Sequence, residues 1–129
     1  MGLLNSTLTP QQAVAERYVR KLYEKYGDEY THFGMTGHSL GGNLAEHATI
    51  TAPDYMRKKI DRCVNLDGPG FSEQYLLAHA SDIQKSKGKI DHYQWSFVGT
   101  LLNTVPGTNY RTVEADMPDD KGAIKVVKE

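Results

Sequence analysis

The length, composition and charge of the chain limit what it can be. Its 129 residues, 39% hydrophobic and 24% charged, are typical of one modest globular domain and leave little room for a second. The formal net charge of −1 gives no electrostatic basis for binding nucleic acid or an anionic membrane, which would need clustered lysine and arginine.

The cysteine content and the hydropathy of the sequence further limit the class of protein. Cys63 is the single cysteine, which excludes an internal disulfide framework and suits a reducing compartment. No apolar run in the sequence approaches the roughly 18 residues of a membrane span. We therefore expect one cytoplasmic domain over residues 1–129, with no transmembrane segment and no nucleic-acid partner.

The first predicted element is a helix over residues 10–26. Thr9 fits an N-cap, Pro10 the first helical position and Gln12 the third residue of a capping box. An apolar stripe recurs at helical spacing and is expected to pack on the rest of the domain, and Gly27 follows as a C-terminal stop. The stripe contains Val14, Tyr18, Leu22 and Tyr26, with Ala15 and Val19 beside it.

The rest of the chain alternates between short strand and helix patterns, which is typical of parallel βαβ units. The first predicted elements are a strand over residues 30–36, a helix ending near Pro53 and a basic linker over residues 56–62. A strand over residues 63–66 follows, with a turn over 67–70 and then a helix from Ser72 through Ile83 that is closed by Lys87-Gly88. The last elements are strands over residues 90–98, 110–115 and 123–127, with a polar turn over 117–122 between the last two. This order predicts an α/β fold with a mostly parallel sheet flanked by helices. Ligands of such sheets gather at the carboxyl ends of the strands, where Ser39 and Asp67 both fall.

The stretch Gly37-His38-Ser39-Leu40-Gly41 fits the pattern G-x-S-x-G, which holds a serine hydroxyl on a sharp turn between a strand and a helix. Such a turn exposes the Ser39 hydroxyl as a nucleophile and directs the backbone N–H of Leu40 towards a developing oxyanion. The alternative is that the pattern is accidental and that Ser39 only caps the helix.

Three glycines around the serine have predicted packing roles. Gly37 and Gly41 are expected to be small where the turn brings strand and helix together. Gly42 is expected to let the helix lie close to the sheet.

Three segments of the sequence resemble hydrolases. The segment "TGHSLGGNLA", residues 36–45, resembles the nucleophile segment of class 3 lipases. The segments "VNLDGPGFS", residues 64–72, and "SFVGTLL", residues 96–102, are similar to segments of a related bacterial group of uncharacterised α/β-hydrolase-like proteins. The resemblance covers about residues 30–102 and implies an α/β-hydrolase core that cleaves carboxylic esters, either acyl glycerides or other lipid-like esters, without a metal or an organic cofactor.

The remaining triad residues depart from the lipase pattern. Aligned with the lipases, Ser96 stands where their catalytic aspartate would be, so Asp67, which ends the strand after the nucleophile strand, is the predicted acid. The alternative for Asp67 is a turn residue before Gly-Pro-Gly. The lipase histidine would follow the last strand, but no histidine follows His92. His79 and His92 both come after Asp67, and His92 is the predicted base; its alternative is a half-exposed histidine on a strand.

The resemblance also implies a missing N-terminal part. The oxyanion loop of the lipases comes from an earlier strand, whereas only a predicted helix precedes residue 30. We interpret the chain as either the C-terminal portion of a larger hydrolase or a naturally abbreviated one, and the exposed edge of so small a sheet predicts a homo-oligomer.

Two functions are therefore predicted. The first is a serine esterase or lipase that acts through Ser39, Asp67 and His92, with the Leu40 amide as oxyanion donor. The alternative is a catalytically incomplete domain that binds a lipid or a protein partner through the same groove.

Overall fold

The computed structural model describes residues 8–95, 104–115 and 124–127 of the chain. Its helices and strands are α1 (Pro10–Tyr26), β1 (Phe33–His38), α2 (Leu40–Thr51), α3 (Asp54–Arg57), β2 (Ile60–Leu66), α4 (Glu73–Ala78), α5 (Ala80–Ser86), β3 (Ile90–Gln94), β4 (Asn109–Ala115) and β5 (Ile124–Val127), with a 3-10 turn over Lys87–Lys89 before β3. In the described part of the chain, no helix is both long enough and apolar enough to cross a membrane.

The strands form one sheet in the order β1-β2-β3-β4-β5. Strands β1 to β4 pair in parallel, and β5 pairs antiparallel with β4. The predicted α/β class with a mostly parallel sheet is therefore confirmed. Because each parallel strand is added on the same side of the previous one, β1 lies at the edge of the described sheet.

The main helices pack on one face of this sheet. The apolar cluster on that face contains Ala45 and Ile50 of α2, Cys63 of β2, Phe71, Tyr75, Ile83 of α5, Ile90 of β3 and Val105. Parallel crossovers are almost always right-handed, so a strand order that advances in one direction places successive connections on the same face. The other face carries exposed side chains, such as those of Thr36 and His38 on β1 and Arg62 on β2.

The ends of α1 agree with the prediction, but its buried face does not. Both hydrogen bonds of the capping box between Thr9 and Gln12 are present, at 3.0 and 3.1 Å. The predicted apolar stripe, in contrast, faces solvent: Val14 is 55% exposed, Tyr18 63% and Leu22 38%. The prediction that this stripe packs on the domain is therefore wrong.

Polar contacts decide which face of α1 is buried. Gln12 is 5% exposed and donates from Nε2 to Asn43 Oδ1 of α2 at 3.0 Å. One turn further on, Glu16 Oε2 lies 2.5 Å from His47 Nε2 of α2. Val19 follows on the same side and packs against a second apolar cluster. Because these partners satisfy the polar groups, α1 buries Gln12 and half-buries Glu16. Val14 and Tyr18 remain exposed to solvent.

Several element boundaries also differ from those predicted. Strand β1 begins at Phe33, and β2 begins at Ile60 because the short helix α3 replaces part of the expected linker. The third predicted helix is two helices that meet at His79, where φ of −108° and ψ of 18° interrupt the helical conformation. Ser72 caps α4, accepting a hydrogen bond from the Tyr75 backbone N–H at 3.1 Å.

Some of the predicted features lie outside the described residues. These are residues 96–98 of the third strand, the lipase-like segment 96–102 with Ser96, and the turn over 117–122.

Candidate functional site

Ser39 lies on a strained turn between β1 and α2. Its φ of 58° and ψ of −128° fall where non-glycine residues are rare, and such conformations cost about 1–3 kcal/mol. Its backbone N–H donates to the Leu66 carbonyl at 2.8 Å, and its own carbonyl accepts from Gly42 at 2.9 Å. The exposed side chain makes no capping hydrogen bond to α2. The alternative that the Ser39 hydroxyl caps the helix is therefore wrong.

Two of the three glycine predictions hold. A Cβ at position 37 would lie 2.1 Å from the Gly41 carbonyl oxygen, so Gly37 is required by the close approach of strand and helix. A Cβ at position 42 would lie 2.0 Å from Asn65 Oδ1, so Gly42 lets α2 rest on β2. A Cβ at Gly41 meets nothing within 4 Å, and the prediction for Gly41 is wrong because that side of the turn is open.

The loop after β2 packs on the serine turn. A Cβ at Gly68 would lie 2.7 Å from the Ser39 carbonyl oxygen. Asn43 Nδ2 donates to the carbonyls of Pro69 and Gly70, both at 3.1 Å. Asn43 therefore ties this loop to the first turn of α2. Sequence reasoning missed this residue, although an asparagine so close to the start of an apolar helix was the available signal.

Asp67 follows β2 as Ser39 follows β1. Its φ is 61°, and its backbone N–H donates to the Tyr93 carbonyl at 2.6 Å. Its Oδ1 accepts from Gln94 Nε2 at 2.5 Å and from the Trp95 backbone N–H at 3.1 Å. The carboxylate is thus held at the carboxyl end of the sheet, next to the strand end that carries Ser39.

His92 lies on β3 beneath the helices and is 1% exposed, so the alternative of a half-exposed strand histidine is wrong. Its Nε2 lies 2.7 Å from Gln94 Oε1, and its Nδ1 lies 3.4 Å from Glu46 Oε2. Burial lowers the pKa of His92, against hydrogen bonds to Gln94 and to the Gly68 backbone that raise it. Among the described residues, no hydrogen bond joins this ring to Ser39, and its role as base stays a prediction.

Glu46 of α2 and Asn65 of β2 complete this buried layer, and sequence reasoning missed both. Asn65 Nδ2 donates to Glu46 Oε2 at 2.5 Å, and Asn65 Oδ1 accepts from the Gly68 backbone N–H at 2.8 Å. Glu46 Oε1 is buried without a hydrogen-bond partner. Burial raises the pKa of Glu46 to about 7, against the Asn65 hydrogen bond, which lowers it. The available signals were a glutamate inside a helix of small apolar residues and an asparagine inside a buried strand.

Two other histidines near these elements have different surroundings. His38 is exposed, and its ring stacks on Trp95 with centroids 5.8 Å apart. His79, the other histidine considered as a base, contacts the Tyr75 ring at 4.3 Å between the helices. No group of three or more His, Cys, Asp or Glu side chains in the described ranges is placed to hold a metal ion.

Sequence comparison places the chain in a family. The Mbeg1-like family matches residues 4–119, which include Ser39, Asp67 and His92. The chain belongs to the Mbeg1-like family. No curated protein and no solved structure matches the chain significantly. The resemblance to class 3 lipases stays a prediction.

Proposed function

We propose that the chain is a serine hydrolase that cleaves carboxylic esters through an acyl-enzyme on Ser39. One observation carries the proposal: Ser39 keeps a strained backbone at φ 58°, while its hydroxyl makes no capping hydrogen bond. Strain of this kind persists only where the surrounding structure enforces it, and it clusters at functional sites. A G-x-S-x-G turn between a strand and a helix is the arrangement that presents a nucleophilic serine.

In the proposed reaction, Ser39 Oγ attacks the ester carbonyl carbon and forms a tetrahedral oxyanion, while the Ser39 proton passes to a general base. The backbone N–H of Leu40, in the first turn of α2, stabilises that oxyanion. Collapse of the intermediate expels the alcohol, which takes the proton back from the base. Water then gives a proton to the same base and attacks the acyl-enzyme, and the base returns that proton to Ser39 as the acid leaves. Asp67 is the acidic partner, and the substrates are small-molecule or lipid esters. The scheme needs no metal and no organic cofactor.

The general base is the open part of this scheme. The sequence predicts His92, but its ring would have to leave Gln94 and Glu46 and emerge from the core to take the Ser39 proton. This buried position of His92 favours the second candidate function, a catalytically incomplete domain that binds a lipid or a protein partner.

We also propose that the chain associates with itself, and that it acts in the cytoplasm. Val14, Tyr18 and Leu22 form an exposed apolar stripe on α1. Part of this stripe lines, with Leu44 of α2, a shallow groove of about 440 Å³. Exposed apolar patches and unpaired strand edges both favour association between chains. The cytoplasmic location rests on the reducing compartment expected for Cys63.

Hydrolysis of p-nitrophenyl esters with short and long acyl chains tests the proposed reaction. We expect Ser39→Ala to reduce kcat/KM at least about 10³-fold, as removal of a nucleophile does. Ser81→Ala, at an exposed serine of α5, should leave activity unchanged. The response of His92→Ala tests the predicted base. Folded protein with no activity above the Ser39→Ala background would favour the binding domain instead.

A further inference from the structure

A chain of polar contacts runs from Asp67 into the core of the domain. Asp67 Oδ1 accepts from Gln94 Nε2, and Gln94 Oε1 faces His92 Nε2 at 2.7 Å. His92 Nδ1 then faces Glu46 Oε2 at 3.4 Å. Glu46 and His92 are each 1% exposed, and Gln94 is 2% exposed. In such a dry environment an unpaired polar group is costly, so each member constrains the orientation of the next.

The direction of these hydrogen bonds follows from Asp67. Asp67 Oδ1 accepts from Gln94, so Gln94 turns its amide nitrogen towards Asp67. The amide oxygen of Gln94 then faces His92, and an amide oxygen only accepts. His92 must therefore donate from Nε2. Its Nδ1 is the nitrogen left to face Glu46, while the Gly68 backbone also hydrogen-bonds the ring.

Glu46 closes the network from the other side. Asn65 Oδ1 is occupied by the Gly68 N–H, so the Asn65 amide nitrogen faces Glu46 Oε2. With a neutral His92 and an ionised Glu46, two acceptors would face each other across 3.4 Å. One proton between them removes this conflict. Burial raises the pKa of Glu46 and lowers that of His92, so the proton resides on Glu46 below about pH 7.

We propose that His92 is not the general base. It is a positioning residue that acts on Asp67 through Gln94. The Nε2–H of His92 holds the Gln94 amide in the orientation that presents an N–H to Asp67. That N–H and the Trp95 backbone N–H together hold Oδ1 at the strand end beside Ser39. This proposal rests on the proposed function in one respect, the role of Asp67 as the acidic partner of Ser39 in catalysis. The hydrogen bonds from His92 to Asp67 do not depend on catalysis.

Two substitutions of His92 separate positioning from base catalysis. His92→Gln retains an amide N–H that can donate to Gln94 but cannot take up a proton near neutral pH. His92→Phe retains the ring volume and loses the donor. His32→Gln, at an exposed histidine, is the matched control.

The first measurement is the imidazole ¹⁵N chemical shifts of the full chain below the Glu46 pKa of about 7, which report the tautomer of each histidine. We expect the Nε2–H tautomer for His92, and an Nδ1–H tautomer would overturn the proposal. This measurement uses the unmodified protein, so it decides even if a variant fails to fold.

The second measurement is hydrogen exchange of the Trp95 amide, whose acceptor is Asp67 Oδ1. We expect unchanged protection in His92→Gln and a loss of about tenfold or more in His92→Phe, the size expected for a hydrogen bond to a charged acceptor. Exchange of the Cys63 amide in the core shows whether each variant is folded. Unchanged Trp95 protection in folded His92→Phe, or equal losses in both variants, would overturn the proposal.

Activity provides a third, separable measurement. We expect His92→Gln to retain kcat within about tenfold of the unmodified chain, since positioning is preserved. A loss of about 10²-fold or more, with Trp95 protection intact, would identify a general base and overturn the proposal. If the unmodified chain shows no Ser39-dependent hydrolysis, the proposed function fails, whereas the tautomer and the exchange data still decide this inference.

Discussion

Ser39 and Asp67, one strand apart, both have a positive φ, which is uncommon outside glycine. Their φ angles are 58° and 61°, and each donates its backbone N–H to a carbonyl of the next strand, Leu66 and Tyr93 respectively. Because His38 pairs with Leu66 in the parallel register, the two residues are neighbours at the carboxyl edge of the sheet. This edge is where parallel sheets bind their ligands.

Replacing Ser39 by glycine is expected to stabilise the fold while it removes the nucleophile. Glycine reaches φ 58° without a Cβ clash, so part of the roughly 1–3 kcal/mol of strain is relieved. The greater conformational entropy of glycine in the unfolded chain offsets this gain by about 0.5–1 kcal/mol. We expect urea denaturation to give Ser39→Gly a free energy of unfolding about 1 kcal/mol above that of Ser39→Ala, which keeps Cβ. Equal values for the two variants would show that the turn is unstrained.

The two adjacent glycines of α2 should respond oppositely to alanine. Gly42→Ala places a Cβ against the buried Asn65 side chain and is expected to lower the free energy of unfolding by about 1–3 kcal/mol, as overpacking does. Gly41→Ala meets open space and gains helix propensity worth up to about 1 kcal/mol. Thermal denaturation followed by circular dichroism checks the pair, and similar melting temperatures would contradict the close contact between α2 and β2.

Glu46 should make the fold less stable as pH rises. Its pKa is about 7 in the fold and 4.5 ordinarily, so the folded state binds more protons between these values. Its stabilising contribution is complete below about pH 4.5 and is lost as pH rises through about 7. His92 acts with the opposite sign, because its lowered pKa gives stability that is present above 6.5 and lost as pH falls.

The difference between the unmodified chain and Glu46→Gln isolates the Glu46 contribution. We expect the decline from pH 4.5 towards 7 to disappear in Glu46→Gln and to remain in Glu73→Gln, at an exposed glutamate. Urea denaturation over a pH series measures this pH dependence of the free energy of unfolding. Curves for Glu46→Gln that run parallel to those of the unmodified chain would rule out the raised pKa.

Removing the Tyr75 hydroxyl should destabilise the contact between α2 and α4. Glu16 accepts from His47 Nε2, so the buried His47 Nδ1 accepts from the Tyr75 hydroxyl at 2.6 Å. Tyr75→Phe leaves that nitrogen unsatisfied, which costs about 1–3 kcal/mol of unfolding free energy. Tyr18→Phe, at a side chain that is 63% exposed, is the control and should change little. Equal effects in urea denaturation would refute the role of this bond.

Charges on the apolar stripe of α1 should weaken self-association. The double substitution Val14→Lys and Tyr18→Lys interrupts the stripe at its two most exposed positions. We expect sedimentation velocity to show a dimer or larger species for the unmodified chain and a shift towards monomer for the variant. Leu77→Lys, on α4, controls for added charge at another exposed leucine. An unmodified chain that sediments as a monomer at high concentration would contradict the proposal.

Local signals in the sequence predicted the start of α1, whereas contacts between distant residues decided which of its faces is buried. Thr9 and Gln12 predict the start of α1 because a capping box depends only on residues three apart. The face of α1 was predicted wrongly because Gln12 is buried, and Glu16 half-buried, against partners 31 residues away on α2. No periodicity in the helix itself carries that information.

The same distinction applies to the candidate site. The serine turn was predictable because Gly37 and Ser39 lie within one short motif. The burial of His92 was not, because it depends on Glu46 of α2 covering the same face of β3. In the sequence, the position of His92 within a strand pattern fits a half-exposed ring as well as a buried one.

The chain has a single tryptophan, and it lies at the candidate site. The Trp95 backbone N–H binds Asp67, and its ring stacks on His38, the residue before Ser39. Intrinsic fluorescence therefore reports on the serine turn without a label. A ligand that contacts Ser39 or displaces Asp67 changes the surroundings of this indole, so compounds that release no coloured product can still be titrated optically against the unmodified chain.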